Sequence, residues 1–225
     1  MEENKEENLN QAEEVKKETV ETAKKFKETI KNVDIKEETQ KTKSFIGEMF
    51  KNPINKIEEI AKEDTKYFKT ALFILVIWII AIFIKSSYST FYYFGIGRVF
   101  SNILEVLKDI LVPAVSVLAY SIILLILNKK EKKSLTSIIS TVTATQLPLA
   151  IASIISILTI FSREFSKITT AFNGLCIAVT MVLSYFGFKA ILSEEDNNKF
   201  IKKFVIIQAI YYVISIVLTF LEIYI

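Results

Sequence analysis

The polar residues in the most unusual setting lie inside an apolar run from Ser134 to Ser162, 29 residues without a formal charge. Its centre reads TATQLP, which places the Gln146 amide and Pro148 inside a segment long enough to cross a membrane. A proline removes one backbone donor and frees the carbonyl of Ala144, so the pattern predicts a kinked helix. Neighbouring threonine hydroxyls can satisfy freed backbone groups, and a glutamine can hydrogen-bond to another helix. We interpret TATQLP as a polar helix interface and predict no catalytic residue in it.

Other residues offer little catalytic or metal-binding chemistry. The chain has no histidine, the commonest metal ligand and general base, and its single cysteine, Cys176, lies in an uncharged run that favours an apolar setting. Glu105 and Asp109 lie four residues apart and could bind a cation. Two carboxylates alone make an incomplete site, however, so a solvated helix start is the favoured interpretation. We predict a non-enzymatic protein without metal, cofactor or nucleic-acid partner.

These residues lie in segments with the length of membrane spans. A hydrocarbon core of about 30 Å requires roughly 20 apolar helical residues. The segments that approach this length extend over about 70–87, 110–128, 136–162, 168–188 and 204–222. They lack the polar face that a soluble helical bundle shows at 3.6-residue spacing. We therefore predict an all-α membrane protein whose five transmembrane helices, in residues 70–225, contact the lipid bilayer.

Small residues spaced by four predict how the third and fourth spans pack. The row in the third span is Ser140, Ala144, Pro148, Ala152 and Ser156, and the row in the fourth span is Ser166, Thr170, Gly174 and Ala178. Such rows allow two helix backbones to approach closely. We predict that the two spans pack along these rows. Chance is the alternative, because 15 of the 29 residues in the third run are Ser, Thr, Ala or Pro.

The distribution of basic residues predicts an orientation. Residues 51–69, 129–133 and 189–203 carry 13 lysines, whereas the opposite side carries only five basic residues. Because basic loops tend to remain cytoplasmic, we expect a cytoplasmic amino terminus and an extracytoplasmic carboxyl terminus in the cell membrane. Residues 85–109 then form the longest outer loop. Its tyrosines and phenylalanines favour an interfacial aromatic belt over a ligand-binding cage.

The first third of the chain is charged and differs from the membrane body. Residues 1–69 contain 15 lysines and 17 acidic residues. In residues 1–44 a thin apolar stripe favours disorder with partial helix, with an ordered helix or coiled coil as the alternative. Its members are Ala12, Val15, Ala23, Phe26, Ile30 and Val33. Residues 45–69 are amphipathic, and we expect helices that lie on the cytoplasmic leaflet or dock beneath the bundle.

Four stretches together resemble the Yip1 family of integral membrane proteins, in its bacterial form. They read FKNPINKIEEI from Phe50, NKKEKKSLTSIIS from Asn128, TATQLPLAI from Thr143 and SYFGFKAIL from Ser184. The resemblance implies five clustered spans and a cytoplasmic amino-terminal region. The Leu-Tyr-Gly-Pro signature of eukaryotic members is absent, and Asn52-Pro53 is the nearest feature.

Two classes of function fit this organisation. The preferred hypothesis is a scaffold or adaptor that recruits a protein partner through its cytoplasmic arm, with self-association left open. The alternative is a facilitator or transporter component for a small solute, in which the kinked third span borders a polar path, because broken helices often mark transporter sites.

Overall fold

The computed structural model describes residues 20–22, 24, 27, 34–94, 99–128, 133–162 and 164–220. Within them, the all-α fold is confirmed, and no strand occurs. The helices are α1 Ile35–Lys51, α2 Pro53–Lys62, α3 Phe68–Phe94, α4 Val99–Leu127, α5 Leu135–Thr145, α6 Leu147–Ser156, α7 Phe165–Leu192 and α8 Asn197–Phe220. A 3-10 segment, Ile157–Ile160, follows α6. The stripe expected between Ala12 and Val33 lies outside the described residues.

Four of these helices, α3, α4, α7 and α8, are long and apolar enough to cross a membrane. Helices α5 and α6, extended by the 3-10 segment, form a pair bent by 48°. The described residues therefore contain four candidate spans, or five if the bent pair is one span. Helix α3 continues to Phe94 and α4 begins at Val99. The long outer loop expected over residues 85–109 is thus mostly helical, because within it only Gly95 and Gly97 are poor helix formers.

Helix α5 lies at the centre of the bundle. All eleven of its residues are buried, and it packs against α2, α3, α4 and α7. The hydroxyl of Ser140 donates to the carbonyl of Thr136 over 2.7 Å, and that of Thr141 donates to the carbonyl of Ser137 over 2.9 Å. Bonds of this kind satisfy a buried hydroxyl within its own helix. A helix rich in serine and threonine can therefore occupy the core.

The amino-terminal helices dock against one end of the bundle. Helix α1 begins after Asp34, whose side chain accepts hydrogen bonds from the next turn, and it crosses the boundary expected at residue 44 without interruption. In α2, Pro53 occupies the first turn, and the Asn52 side chain makes no capping hydrogen bond. Ile57 and Ile60 of α2 are fully buried, and the helix packs on α5 and α7. Of the two expectations for this segment, docking on the bundle is the one observed.

On α7 the glycine that lies in close contact with α5 is Gly187 and not the predicted Gly174. Ser140, Ala144 and Ala152 are buried, but Gly174 is exposed, and a Cβ built there would meet no atom within 4 Å. Thr170 and Ala178 are exposed too, so the small-residue row of α7 does not lie on its buried face. The buried face of α7 instead includes Cys176, Thr180 and Leu183 and continues to Gly187, where a Cβ would lie 2.7 Å from the Thr145 methyl carbon. Sequence spacing found small residues on α7, but not which face turns inward.

Helix α8 is attached to the rest of the bundle along a narrow contact with α4 and α7. The ring of Tyr211 stacks on that of Tyr120 at a centroid distance of 4.0 Å. The Tyr120 hydroxyl donates to the Gln208 side-chain oxygen over 2.8 Å. Most of the remaining α8 surface is exposed and apolar, as expected for a helix that faces lipid.

Candidate functional site

The break between α5 and α6 lies at Gln146, as the TATQLP segment predicts. The backbone N–H of Gln146 donates to the carbonyls of Val142 and Thr143 over 3.1 and 3.2 Å, and α5 ends there. Pro148 then occupies the first turn of α6, where a missing N–H leaves no helical bond unmade. The Thr145 hydroxyl donates to the Val142 carbonyl over 2.8 Å, and this carbonyl also accepts the Gln146 backbone N–H.

The Gln146 side chain is buried at this break, but it makes no hydrogen bond to another described side chain. The hydroxyl of Thr143 likewise has no partner among the described residues. The predicted bond from Gln146 to a neighbouring helix is therefore not observed. Of the polar side chains of TATQLP, that of Thr145 bonds to the chain's own backbone.

A polar cavity of about 670 Å³ lies beside α6, near the end of the bundle opposite α2. It is formed by α3, α4, α6 and α7. Ten of its thirteen lining residues are polar or charged, and the apolar ones are Ile82, Val112 and Ala152. The volume falls within the roughly 300–1,000 Å³ of small-molecule sites. Three residues of the predicted small-residue rows, Ala152, Ser156 and Thr170, line it.

Two opposite charges line the cavity without pairing with each other. Lys85 belongs to α3 and Asp109 to α4, and no ion pair within 4.0 Å joins them or engages either one among the described residues. Ser86 donates its hydroxyl proton to Oδ2 of Asp109. Glu105 is not among the lining residues, and its carboxylate lies 3.6 Å from the Lys108 ammonium. Among the described residues, no three histidine, cysteine, aspartate or glutamate side chains lie close enough together to hold a metal ion.

The chain's single tryptophan is hydrogen-bonded to a residue that lines this cavity. Trp78 of α3 is only 5% exposed, and its indole N–H donates to the Ser153 hydroxyl over 2.9 Å. Ser153 is a lining residue, and its own hydroxyl proton goes to the Leu149 carbonyl over 3.0 Å. A change in the cavity can therefore reach the indole through one side chain.

A second polar cluster joins α1, α2 and the start of α3. The Lys56 side chain is 8% exposed, and its ammonium lies 2.5 Å from a carboxylate oxygen of Glu48 and 3.0 Å from one of Glu59. It also donates to the Tyr67 hydroxyl over 2.8 Å. Tyr67 in turn donates to Glu59, and the Lys66 ammonium lies 3.1 Å from the same carboxylate. Two lysines and two glutamates leave the cluster without net charge.

The hydrogen bonds of this cluster shift the pKa values of its members. Donation from Tyr67, followed by that from Lys56, lowers the pKa of Glu59 to about 2. Burial acts to lower the pKa of Lys56, but its bonds with Glu48, Tyr67 and Glu59 outweigh that effect and raise it. Both groups stay ionised at neutral pH. The cluster therefore acts as an ionic clasp in which neither Glu59 nor Lys56 changes its protonation state near pH 7.

Sequence reasoning missed both the cavity and the clasp. The Lys56–Glu59 spacing of three predicts an ion pair between these two residues, because residues at this spacing are neighbours on a helix surface. Tyr67 and Glu48 come from other elements and carried no such signal. Lys85 lies at the start of the outer loop expected over residues 85–109. Helix α3 continues past it and places it in a cavity with hydroxyl groups from two other helices, α6 and α7.

The described part of the molecule belongs to the class of all-helical, membrane-embedded proteins, with four candidate spans or five if the bent pair counts as one. No protein family, curated protein or solved structure matches the chain.

Proposed function

We propose that the chain is a non-enzymatic scaffold or adaptor of the Yip1 type, crossing the cell membrane five times with a cytoplasmic amino terminus. The bent α5–α6 pair serves as the third span in this arrangement. The basic residues assign the end with α1 and α2 to the cytoplasm and the polar cavity to the outer side. The arm preceding Asp34 recruits the protein partner.

The observation that carries this proposal is the docking of α1 and α2 on the bundle. Ile57, Ile60 and Ala61 are buried without exposed area, and the clasp around Lys56 holds α1, α2 and α3 together. An arm attached to such a platform has a fixed point of origin at the membrane surface. A partner bound to the arm is thereby kept within reach of the bilayer.

Proximity labelling in living cells tests the recruiting role. A labelling tag is placed at the amino terminus of the full chain and of a shortened chain that begins at Asp34, which keeps the α1 cap. A third chain carries residues 2–33 in scrambled order, so that its composition and charge are unchanged. We expect one protein set to be labelled by the full chain only. The same set from all three chains would reject recruitment by the arm.

The polar cavity favours the facilitator alternative, because it adjoins the bent pair and is lined mainly by hydroxyl, amide and charged groups. Purified protein in liposomes distinguishes this role from the adaptor role. Uptake of a small polar solute that depends on the protein would support permeation. Partner labelling without such uptake would support the adaptor.

A further inference from the structure

We propose that the cavity formed by α3, α4, α6 and α7 binds a small zwitterion with a primary ammonium group and an anionic group a few bonds away. Two sources share this chemistry: a free amino-acid-like solute and the head group of an ethanolamine phospholipid. The inference does not depend on the adaptor role, and it requires no transport.

The charges of the cavity select for a ligand that carries both signs. Lys85 and Asp109 cancel each other in net charge, yet they are not close enough to pair. A cation would neutralise Asp109 but would add a positive charge near Lys85. An anion would neutralise Lys85 but would add a negative charge near Asp109. Lys85 is exposed and Asp109 is half-buried. Because an unmatched negative charge near the half-buried Asp109 is costly, a ligand with both signs fits best.

The polar contacts around each charge agree with this assignment. Asp109 is half-buried and uses Oδ2 to accept the Ser86 proton, which leaves acceptor capacity for a further donor. A primary ammonium has three N–H donors, whereas a quaternary ammonium has none. Among the other lining residues, Lys85 and the Asn173 amide provide donors for carboxylate or phosphate oxygens, and serine and threonine hydroxyls provide further donors.

The position of the cavity admits either source. It lies near the end of α3, the beginning of α7 and the end of α6, which is where membrane helices meet the interface. Its volume of about 670 Å³ exceeds that of an amino acid and leaves room for a head group.

Trp78 provides the binding assay in the unmodified protein. The full chain is placed in phosphatidylcholine nanodiscs, and indole emission is followed during titration with phosphoethanolamine, alanine, ethylamine and propionate. We expect at least one of the two zwitterions to saturate the signal. Ethylamine and propionate should bind at least about tenfold more weakly, because each loses a charge-assisted hydrogen bond. This comparison uses only the wild-type chain and so does not depend on how any variant folds.

Charge-neutral variants locate the site. Asp109→Asn and Lys85→Gln should each weaken zwitterion binding at least about tenfold. Glu105→Gln is the matched control, because Glu105 is on the same helix as Asp109 but pairs with Lys108 outside the cavity. It should bind as the wild type does. Unfolding temperature, with and without ligand, gives a second readout that does not rely on the indole.

Lipid exchange separates the two sources. Phosphatidylethanolamine or, as an anionic control, phosphatidylglycerol replaces part of the phosphatidylcholine. A shift in emission and unfolding temperature with phosphatidylethanolamine alone identifies the head group, and a response to soluble zwitterions alone identifies a solute. The inference is overturned if single-charge compounds bind as tightly as zwitterions. It is also overturned if Asp109→Asn and Lys85→Gln bind normally, or if no probe changes either readout.

Discussion

Substitution of Gly187 by alanine tests the central packing of α2, α5 and α7. A Cβ at this position would lie 2.7 Å from the Thr145 Cγ2 atom and 3.2 Å from the Cγ2 atoms of Ile57 and Thr141. Carbon atoms prefer separations of about 3.5–4.0 Å, so the nearest methyl group must move by roughly 0.8 Å. Thr145 is β-branched, and its hydroxyl bond to a backbone carbonyl fixes its rotamer. The methyl group therefore cannot turn away without losing that bond.

The expected magnitude is a balance of two effects. Overpacking of a filled core costs about 1–3 kcal/mol. Replacing a helical glycine by alanine gains up to about 1 kcal/mol. We expect Gly187→Ala to lower the free energy of unfolding by about 1–2 kcal/mol. Gly174→Ala is the matched control, because it has the same propensity gain and meets no atom within 4 Å, so it should be neutral or slightly stabilising.

Reversible unfolding in mixed micelles, followed by circular dichroism and indole emission, measures both variants. The double variant Gly187→Ala with Thr145→Ser removes the nearest methyl group and keeps the hydroxyl. It should recover roughly half of the loss, since the two 3.2 Å contacts remain. Equal stability of Gly187→Ala and Gly174→Ala, or no recovery with Thr145→Ser, would refute this account of the packing.

Three further predictions concern the clasp, the docked helix and the indole. Glu59→Gln should cost about 0.5–1 kcal/mol at neutral pH, because the clasp is partly solvated. The pKa of Glu59 is lowered on folding, so its contribution is complete above about pH 4.5 and disappears toward pH 2; a pH series of unfolding curves should show the two proteins converging there. Ile60→Ala should lower unfolding free energy by about 2–4 kcal/mol and the more exposed Ile54→Ala by much less, a contrast that fails if α2 is not docked. Ser153→Ala should cost about 1–3 kcal/mol and shift Trp78 emission, and an unchanged spectrum would contradict the 2.9 Å bond.

The features that could be predicted from sequence are those with a short-range physical signal. Apolar length predicted the candidate spans, and Pro148 predicted the break next to Gln146. Between residues 85 and 109 the sequence contains no strong helix breaker other than glycine, which agrees with the helices found there and not with the expected outer loop. Helix ends in a membrane depend on water depth and on neighbouring helices as well as on composition.

The features that could not be predicted depend on which helix faces meet. The choice of Gly187 over Gly174 as the close approach follows from the rotation of α7, which neighbouring helices set. The cavity combines side chains from four helices, and a pairing such as Ser86 with Asp109 has no periodicity in the sequence. Periodic patterns identify a face that is apolar or small, but several helices here are apolar on every side.

The docking of α2 has a consequence for the order of synthesis. Ile57 is translated before any of the spans, yet its side chain lies against Gly187, near the end of α7. The first described helices therefore have no complete docking surface until α7 has been made and inserted. Until then the apolar face of α2 remains open on nascent chains, and its closure coincides with completion of the surrounding bundle. The docking of α2, an early segment of the chain, is thus completed only after α7 has been inserted.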